Sequence, residues 1–167
     1  MKRSPSETEL VIRRAGIQDT PLILSFIQQL ARYEKLEDQV EATQEKLQES
    51  LFSPNPVAHV LIADWDGKPA GFAVYFFNYS TFLAQPGLYL EDLYVNPGQR
   101  GKGIGRTLLA EVAGVARKHK CGRLEWAVLD WNEPAIHFYQ KLGATALSEW
   151  TLFRLKNADL EGVTATS

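Results

Sequence analysis

The chain has a single cysteine, Cys121, in 167 residues. One thiol cannot close an internal disulfide, and with no Cys or His at ligand spacing it makes no zinc site, so no metal is expected and a reducing compartment fits. Long apolar runs are also missing: no stretch approaches the roughly 20 residues needed to span a bilayer. Lys2 and Arg3 are not followed by an apolar core, so a secretory leader is not expected. There is no excess of positive charge either. Eighteen Lys and Arg against 20 Asp and Glu leave a formal charge of −2, which gives no general attraction to nucleic acid or anionic lipid. Repeats and low-complexity tracts are absent. These gaps argue against disulfide-rich secreted and membrane-spanning classes, mildly against nucleic-acid binding, and make the cytoplasm the expected location.

What is present is a globular composition, 45% hydrophobic and 23% charged, in a length that suits one domain with a core of its own. Residues 1–9 form a polar lead expected to be flexible. Leu10-Val11-Ile12-Arg13 is a short β-type run. Asp19 is placed to cap a helix with Pro21 in its first turn, and Leu22, Ile23, Phe26, Ile27, Leu30 and Tyr33 keep a helical period. A second, more polar helix is expected from Thr43 up to the breaker Ser53-Pro54-Asn55-Pro56. Val57 to Trp65 and Ala70 to Tyr79 are rich in β-branched and aromatic residues, and Asp66-Gly67-Lys68-Pro69 between them makes a hairpin. After a loop over Ser80–Gly87, strands are expected at Leu88–Val95, Arg123–Leu129 and Trp150–Leu155, and helices at about Gly105–Lys118 and Glu133–Leu142. The expected fold is therefore a single mixed α/β domain over 10–156, with a mostly antiparallel sheet, flanking helices and a late strand–helix–strand crossover. Residues 157–167 read as a tail.

Arg100-Gly101-Lys102-Gly103-Ile104-Gly105 lies between a strand and a helix. Glycines let the chain turn sharply and gather backbone N–H groups around one anion, and a helix start adds unpaired donors and partial positive charge. A phosphate or pyrophosphate is the natural guest, with Arg100 and Lys102 available as formal charges; the plain alternative is a loop that only turns the chain. A Walker A loop would need Gly where Asn96 stands and Ser or Thr where Gly103 stands. A dinucleotide fingerprint would need a third Gly or Ala where Arg106 or Leu108 stands.

This segment resembles the acetyl-CoA motif Q/R-x-x-G-x-G/A of the GNAT superfamily of N-acetyltransferases. Residues 10–155 further resemble the diamine acetyltransferases, comprising spermidine/spermine acetyltransferases and their thialysine-acetylating relatives. The resemblance rests on Leu30-Ala31-Arg32-Tyr33-Glu34, on Tyr89-Leu90-Glu91-Asp92-Leu93-Tyr94-Val95, on Ala127-Val128-Leu129-Asp130-Trp131-Asn132-Glu133-Pro134-Ala135 and on Phe138-Tyr139-Gln140-Lys141-Leu142-Gly143-Ala144. It implies a GNAT fold, acetyl-CoA as acetyl donor without a metal, a small primary amine as partner, and a homodimer. It implies cofactor contacts from Leu93, Tyr94 and Val95, from Arg100 through Arg106 (Gly101, Lys102, Gly103, Ile104 and Gly105 between them), and from Asn132, Glu133, Pro134, Ala135 and Tyr139. It implies an amine site drawn from Tyr33, Glu34, Ser80, Thr81, Glu91, Asp92, Glu125, Trp126, Ala127 and Glu149.

The resemblance places Tyr139 beside the cofactor's sulfur and Glu91 at the substrate amine, and the chemistry is consistent with a role for each. An alkyl amine has a reference pKa near 10.4, so its neutral form costs roughly 4–5 kcal/mol at pH 7, and a base or a water leading to one is worth having. Glu91 is the candidate base, set mid-strand where a carboxylate is expensive unless solvated or partnered. Strand alternation would place Glu91 and Leu93 on one face and Asp92 on the other. Tyr139 is the candidate acid, since a phenol stays protonated at neutral pH and can donate to a thiolate; a tyrosine after Phe138 can also be plain helix core. Asn132 ahead of Pro134 fits a helix N-cap as well as the cofactor contact that the resemblance implies.

For the acceptor, Ser80-Thr81 stand where the polyamine enzymes typically carry an aspartate and a proline. A lost carboxylate weakens attraction for a polycation. Phe77-Asn78-Tyr79-Ser80-Thr81 is closer to the thialysine branch, so the side-chain amine of thialysine or a lysine-like amino acid is the expected substrate and polyamines come second. A protein-lysine acetyltransferase and a silent acyl-CoA-binding module are the rivals.

Overall fold

The structure, a computed structural model, describes residues 9–164; the expected N-terminal lead and the last residues of the tail lie outside them. The chain divides into two compact units, Met1–Ala127 and Val128–Ser167.

The first unit holds one five-stranded sheet in the order β1-β2-β3-β4-β5. Its strands are β1 (Leu10–Arg14), β2 (His59–Trp65), β3 (Lys68–Ser80), β4 (Gln85–Val95) and β5 (Leu124–Glu125). The first four pair antiparallel, and β5 pairs parallel to β4. The helices are α1 (Thr20–Glu34), α2 (Gln44–Leu51) and α3 (Ile104–Lys118). Val60 to Ala63 and Ala70 to Tyr75 are buried without interruption, so alternating side chains are covered on both faces of the sheet. On one face, Ile23 and Phe26 of α1 pack with Val60, Ile62, Phe72, Val74 and Tyr94; the Phe26 and Phe72 rings stack at 5.1 Å. The apolar side of α3, with Leu108, Leu109 and Val112 buried, packs against the strands. Gly71 is required where β3 meets β4, because a Cβ there would run into the Tyr94 carbonyl oxygen.

Several local expectations hold. The Thr43 hydroxyl accepts from the Lys46 N–H at 3.2 Å and caps α2, and β2 and β3 form the expected hairpin. Asp19 differs. It precedes α1, yet its carboxylate accepts from Arg13 at 2.8 and 3.1 Å and from the Gly16 N–H at 2.8 Å. A charge-assisted guanidinium pair outcompetes a single cap bond, and Arg13 also donates to Asp64 at 2.7 Å. The Ser80–Gly87 loop is mostly strand: β3 runs to Ser80 and β4 starts at Gln85, leaving a tight turn.

Alternation in β4 is interrupted as well. Leu90 opposes Tyr75 and Asp92 opposes Val74, which makes Glu91 the extra residue of a β-bulge. Directly opposed residues share a face, so Asp92 emerges with Val74 and Tyr94 on the α1 side.

The expected strand Arg123–Leu129 is ordered as strand only at Leu124–Glu125. In the second unit, α4 (Glu133–Lys141) forms as expected, Trp150–Leu155 is no strand, and Asn157–Thr164 is a helix, α5, where a tail was expected. β-propensity specifies no strand without a partner edge to accept its hydrogen bonds.

The Arg13 network joins β1, β2 and the entry to α1. Arg13→Met strands the Asp19 and Asp64 carboxylates, and urea denaturation is expected to show a loss on the order of 2 kcal/mol. An unchanged midpoint would mean the network contributes nothing net.

Candidate functional site

The site starts from a strand that loses its neighbour. β4 and β5 pair only at Leu88↔Leu124 and Tyr89↔Glu125. From Leu90 to Val95 the β5-side edge of β4 has no strand partner among the described residues. Unpaired edge groups in a sheet are a template for an extended ligand, which suits the backbone role expected of Leu93, Tyr94 and Val95.

β4 then runs into the glycine-rich loop. Gly101 and Gly103 sit at φ 79° and 80°, the left-handed region that glycine enters without penalty. Gly103 occupies the N-cap position of α3 and has no side chain with which to cap it. The first helical bond runs from the Thr107 N–H to the Gly103 carbonyl at 3.0 Å, and the N–H groups of Gly101 through Arg106 find no protein acceptor among the described residues. A 15-residue helix adds its dipole behind them. A cradle of unpaired donors with positive potential fits a pyrophosphate.

Arg100 and Lys102 are held by protein partners. Arg100 donates from Nε to the Val95 carbonyl at 3.0 Å, and its guanidinium lies 4.7 Å from the Tyr33 ring and 5.7 Å from the Tyr94 ring. Lys102 Nζ donates to Gln99 Oε1 at 2.7 Å and sits 5.0 Å over the Trp65 ring. Such contacts give about 0.5–1 kcal/mol each at exposed sites and fix where the two charges stand. Gln99 and Trp65 were not singled out from the sequence, because Trp65 reaches the loop only through the β2–β3 pairing. Gln29 was missed too; it accepts from the Tyr94 hydroxyl at 3.3 Å and ties α1 to β4.

Beside this tie lies the acidic part of the site. Tyr33 and Glu34 end α1, and Lys35 follows in the left-handed region at φ 60°. Burial raises the Glu34 carboxyl above its usual range. Asp92 is pushed up to about 7, first by burial and then by the negative charges of Glu91 and Glu34. Asp92 therefore feels both neighbouring carboxylates, and its proton is exchanged near neutrality. Glu91, at the bulge, is exposed.

Other expected residues fall elsewhere. Ser80 is buried at 3% exposure, and its hydroxyl accepts from the Leu83 N–H at 3.3 Å, closing the β3–β4 turn. Ser80 opposes Gln85, and at about 3.3 Å per residue Asp92 lies on the order of 20 Å along β4 from it. Within one chain Ser80 and the exposed Thr81 are therefore not brought to the carboxylates. Glu125 pairs with Arg123 at the end of β5, and Trp126 and Ala127 follow it. In the second unit the Asn132 side chain accepts from the Ala135 N–H at 3.4 Å, the expected N-cap of α4, with Glu133 and Pro134 opening the helix. Tyr139 lies on α4 with its ring 5.2 Å from that of Phe138. Glu149 is in an exposed turn. No metal-binding cluster occurs among the described residues.

A model of the acetyltransferase (GNAT) family matches residues 24–144. The chain belongs to the GNAT acetyltransferase family. A thialysine N-epsilon-acetyltransferase of Sus scrofa is 41% identical, over 88% of this chain and 92% of that protein. An L-ornithine N5-acetyltransferase of Arabidopsis thaliana is 34% identical, over 91% of this chain and 86% of that protein. Among solved structures, an integron cassette protein from the mobile metagenome of V. cholerae superposes with a TM-score of 0.77 at 28% identity, covering 94% of this chain and 98% of that one. The protein is thus a GNAT acetyltransferase with the mixed α/β fold the sequence led us to expect. Among its described residues no helix is long and apolar enough to cross a membrane.

The raised Asp92 carboxyl carries a consequence for stability. With the folded-state value near 7 and the unfolded value near 3.8, the folded state binds the extra proton between them, so stability falls as pH rises through that window. Asp92→Asn is expected to raise Tm at pH 8 and to raise it much less at pH 4. An equal shift at both pH values would contradict the assignment of the raised carboxyl.

Proposed function

We propose that this GNAT acetyltransferase moves the acetyl group of acetyl-CoA to the side-chain amine of thialysine or a similar small amino acid. The observation that carries the reading is the half-buried Asp92, titrating near 7 beside Glu34 and Glu91, on the open-edged strand that leads into the unpaired N–H cradle. The thialysine and L-ornithine acetyltransferases that the chain resembles both take, by their names, an amino acid bearing a terminal side-chain amine.

Acetyl-CoA supplies an activated thioester. In this reading the N–H groups of Gly101 through Arg106 hold its pyrophosphate, and the edge of Leu93, Tyr94 and Val95 holds the arm and polarises the acetyl carbonyl. Asn132, Glu133, Pro134 and Ala135 add further cofactor contacts. Glu34, Glu91 and Asp92 attract the incoming ammonium. Its proton passes to a carboxylate, with Glu91 receiving the amine at the bulge and Asp92 the stronger acceptor. A carboxylate near 7 narrows the gap to an alkylammonium near 10.4 by about 3 units relative to an ordinary aspartate, or roughly 4 kcal/mol of proton-transfer cost. The amine nitrogen then bonds to the acetyl carbon as the carbon–sulfur bond breaks; the departing sulfur takes a proton from Tyr139, and the second proton shed by the nitrogen passes through solvent to restore the Tyr139 phenol. The domain that performs this spans 10–156, and we place it in the cytoplasm as a homodimer.

A polyamine is the second reading, favoured by the same three carboxylates, which suit a substrate with more than one positive charge. Ser80 and Thr81 do not decide between the two, since the hydroxyl of Ser80 is used in its own turn.

Free-thiol release from acetyl-CoA, with thialysine, lysine, ornithine, spermidine, spermine and a lysine peptide at equal concentration, separates these readings. Thialysine or another free amino acid is expected to lead by about tenfold or more in kcat/KM, on the order of 1.4 kcal/mol in the transition state. A lead by spermidine or spermine would overturn the amino-acid assignment. Binding of acetyl-CoA with no thiol released by any amine would instead indicate a silent acyl-CoA-binding module.

A further inference from the structure

Tyr94 enters the proposed cofactor site through its backbone, and its side chain is left for another task. That side chain lies in the core on the α1 side of the sheet, 5% exposed. Phe26, Gln29 and Tyr33, each about one turn from the next on α1, all meet it there. Phe26 packs on its ring at 6.1 Å. Gln29 accepts from its hydroxyl at 3.3 Å. Tyr33 shares the Arg100 guanidinium with it, at 4.7 Å from the Tyr33 ring and 5.7 Å from the Tyr94 ring. Residues three and four apart on a helix form one stripe, so this tyrosine runs along the sheet-facing stripe of α1.

Of these contacts, the hydrogen bond is the one with a set direction. Ring packing and a cation over a ring tolerate some sliding of a helix across a sheet, whereas a hydrogen bond weakens steeply once donor and acceptor are misaligned. The Gln29 amide is itself oriented. Its Nε2 donates to the Ser25 hydroxyl at 3.0 Å, one turn back on α1, and its Oε1 is thereby turned to the strand. The bond from Tyr94 to Gln29 therefore fixes how α1 is seated on β4. What this seating controls is the acidic pair. Asp92 comes two residues before Tyr94 on β4 and emerges on the same face. Glu34 follows Tyr33 as the last residue of α1, and its negative charge is felt at Asp92. The two carboxylates belong to elements distant in sequence, so their spacing depends on the contact between those elements.

We propose that Gln29 is a positioning residue of the amine site: by accepting from the Tyr94 hydroxyl it seats the end of α1 so that Glu34 and Asp92 stand at the spacing that receives an ammonium group. The proposal rests on the reading of Glu34 and Asp92 as carboxylates that attract the acceptor amine.

Steady-state kinetics of the full chain with acetyl-CoA and thialysine, repeated with spermidine, test it on Gln29→Met, Tyr94→Phe and the double variant, with circular dichroism to confirm folding. Gln29→Met keeps the length of the side chain and removes the acceptor. Tyr94→Phe removes the donor and keeps the ring for Phe26 and Arg100. In Gln29→Met the amine KM is expected to rise about fivefold, as for one lost neutral hydrogen bond, while kcat and the acetyl-CoA KM stay within about twofold. Tyr94→Phe is expected to raise the amine KM by a similar factor. The double variant should do no worse than either single one, because both substitutions remove the same contact. Losses that multiply in the double variant, or an amine KM that Gln29→Met leaves unchanged, would overturn the proposal. Glu34→Gln, run alongside, separates two failures. An amine KM raised by Glu34→Gln and not by Gln29→Met removes the positioning role alone; one that neither raises removes the carboxylate reading as well.

Discussion

After Tyr89 the strand β4 has no strand partner on its β5 side among the described residues, and much of the proposed site follows from that separation. Paired only at Leu88 and Tyr89, the strand keeps its β3 hydrogen bonds for rigidity and leaves its other edge to a ligand. The bulge at Glu91 sits where the edge opens. It resets the alternation, turns Asp92 toward α1 and leaves Glu91 in solvent. One inserted residue thus separates two adjacent carboxylates into an exposed one and a half-buried one.

Arg100 links this strand to the phosphate cradle. Its guanidinium is held between the Val95 carbonyl and the rings of Tyr33 and Tyr94, so the glycine-rich loop and the end of α1 that carries Glu34 share one cation. Tyr94 is itself tied to α1 through Gln29. Packed, polar contacts thus join the loop, β4 and the end of α1. The strain of the site resides in Asp92, whose ionised form is disfavoured by burial and by its neighbours. A carboxylate so held is destabilising to the resting fold and useful to a reaction that must remove a proton from an amine.

Much of this was legible in the residues themselves. Gly101 and Gly103, the Thr43 and Asn132 caps and the β2–β3 hairpin are local features, fixed by one or two side chains and their immediate backbone. What escaped depends on partners distant in sequence. The bulge at Glu91 appears only once β4 is registered against β3. Asp19 was an N-cap by position, but Arg13 and Asp64 claim it from β1 and β2. Trp150–Leu155 has strand composition without a strand, because composition does not supply the paired edge. The turn that the Ser80 hydroxyl closes, accepting from the Leu83 N–H, likewise appears only once β3 is paired with β4.

The central claim is that the open edge of β4 and the α3 cradle together receive acetyl-CoA. Amide hydrogen exchange of the protein with and without acetyl-CoA tests it most directly. The account predicts that protection rises together in Leu93–Val95 and in Gly101–Arg106, with little change in β1 and β2. Protection confined to other segments, or to the cradle without β4, would contradict it.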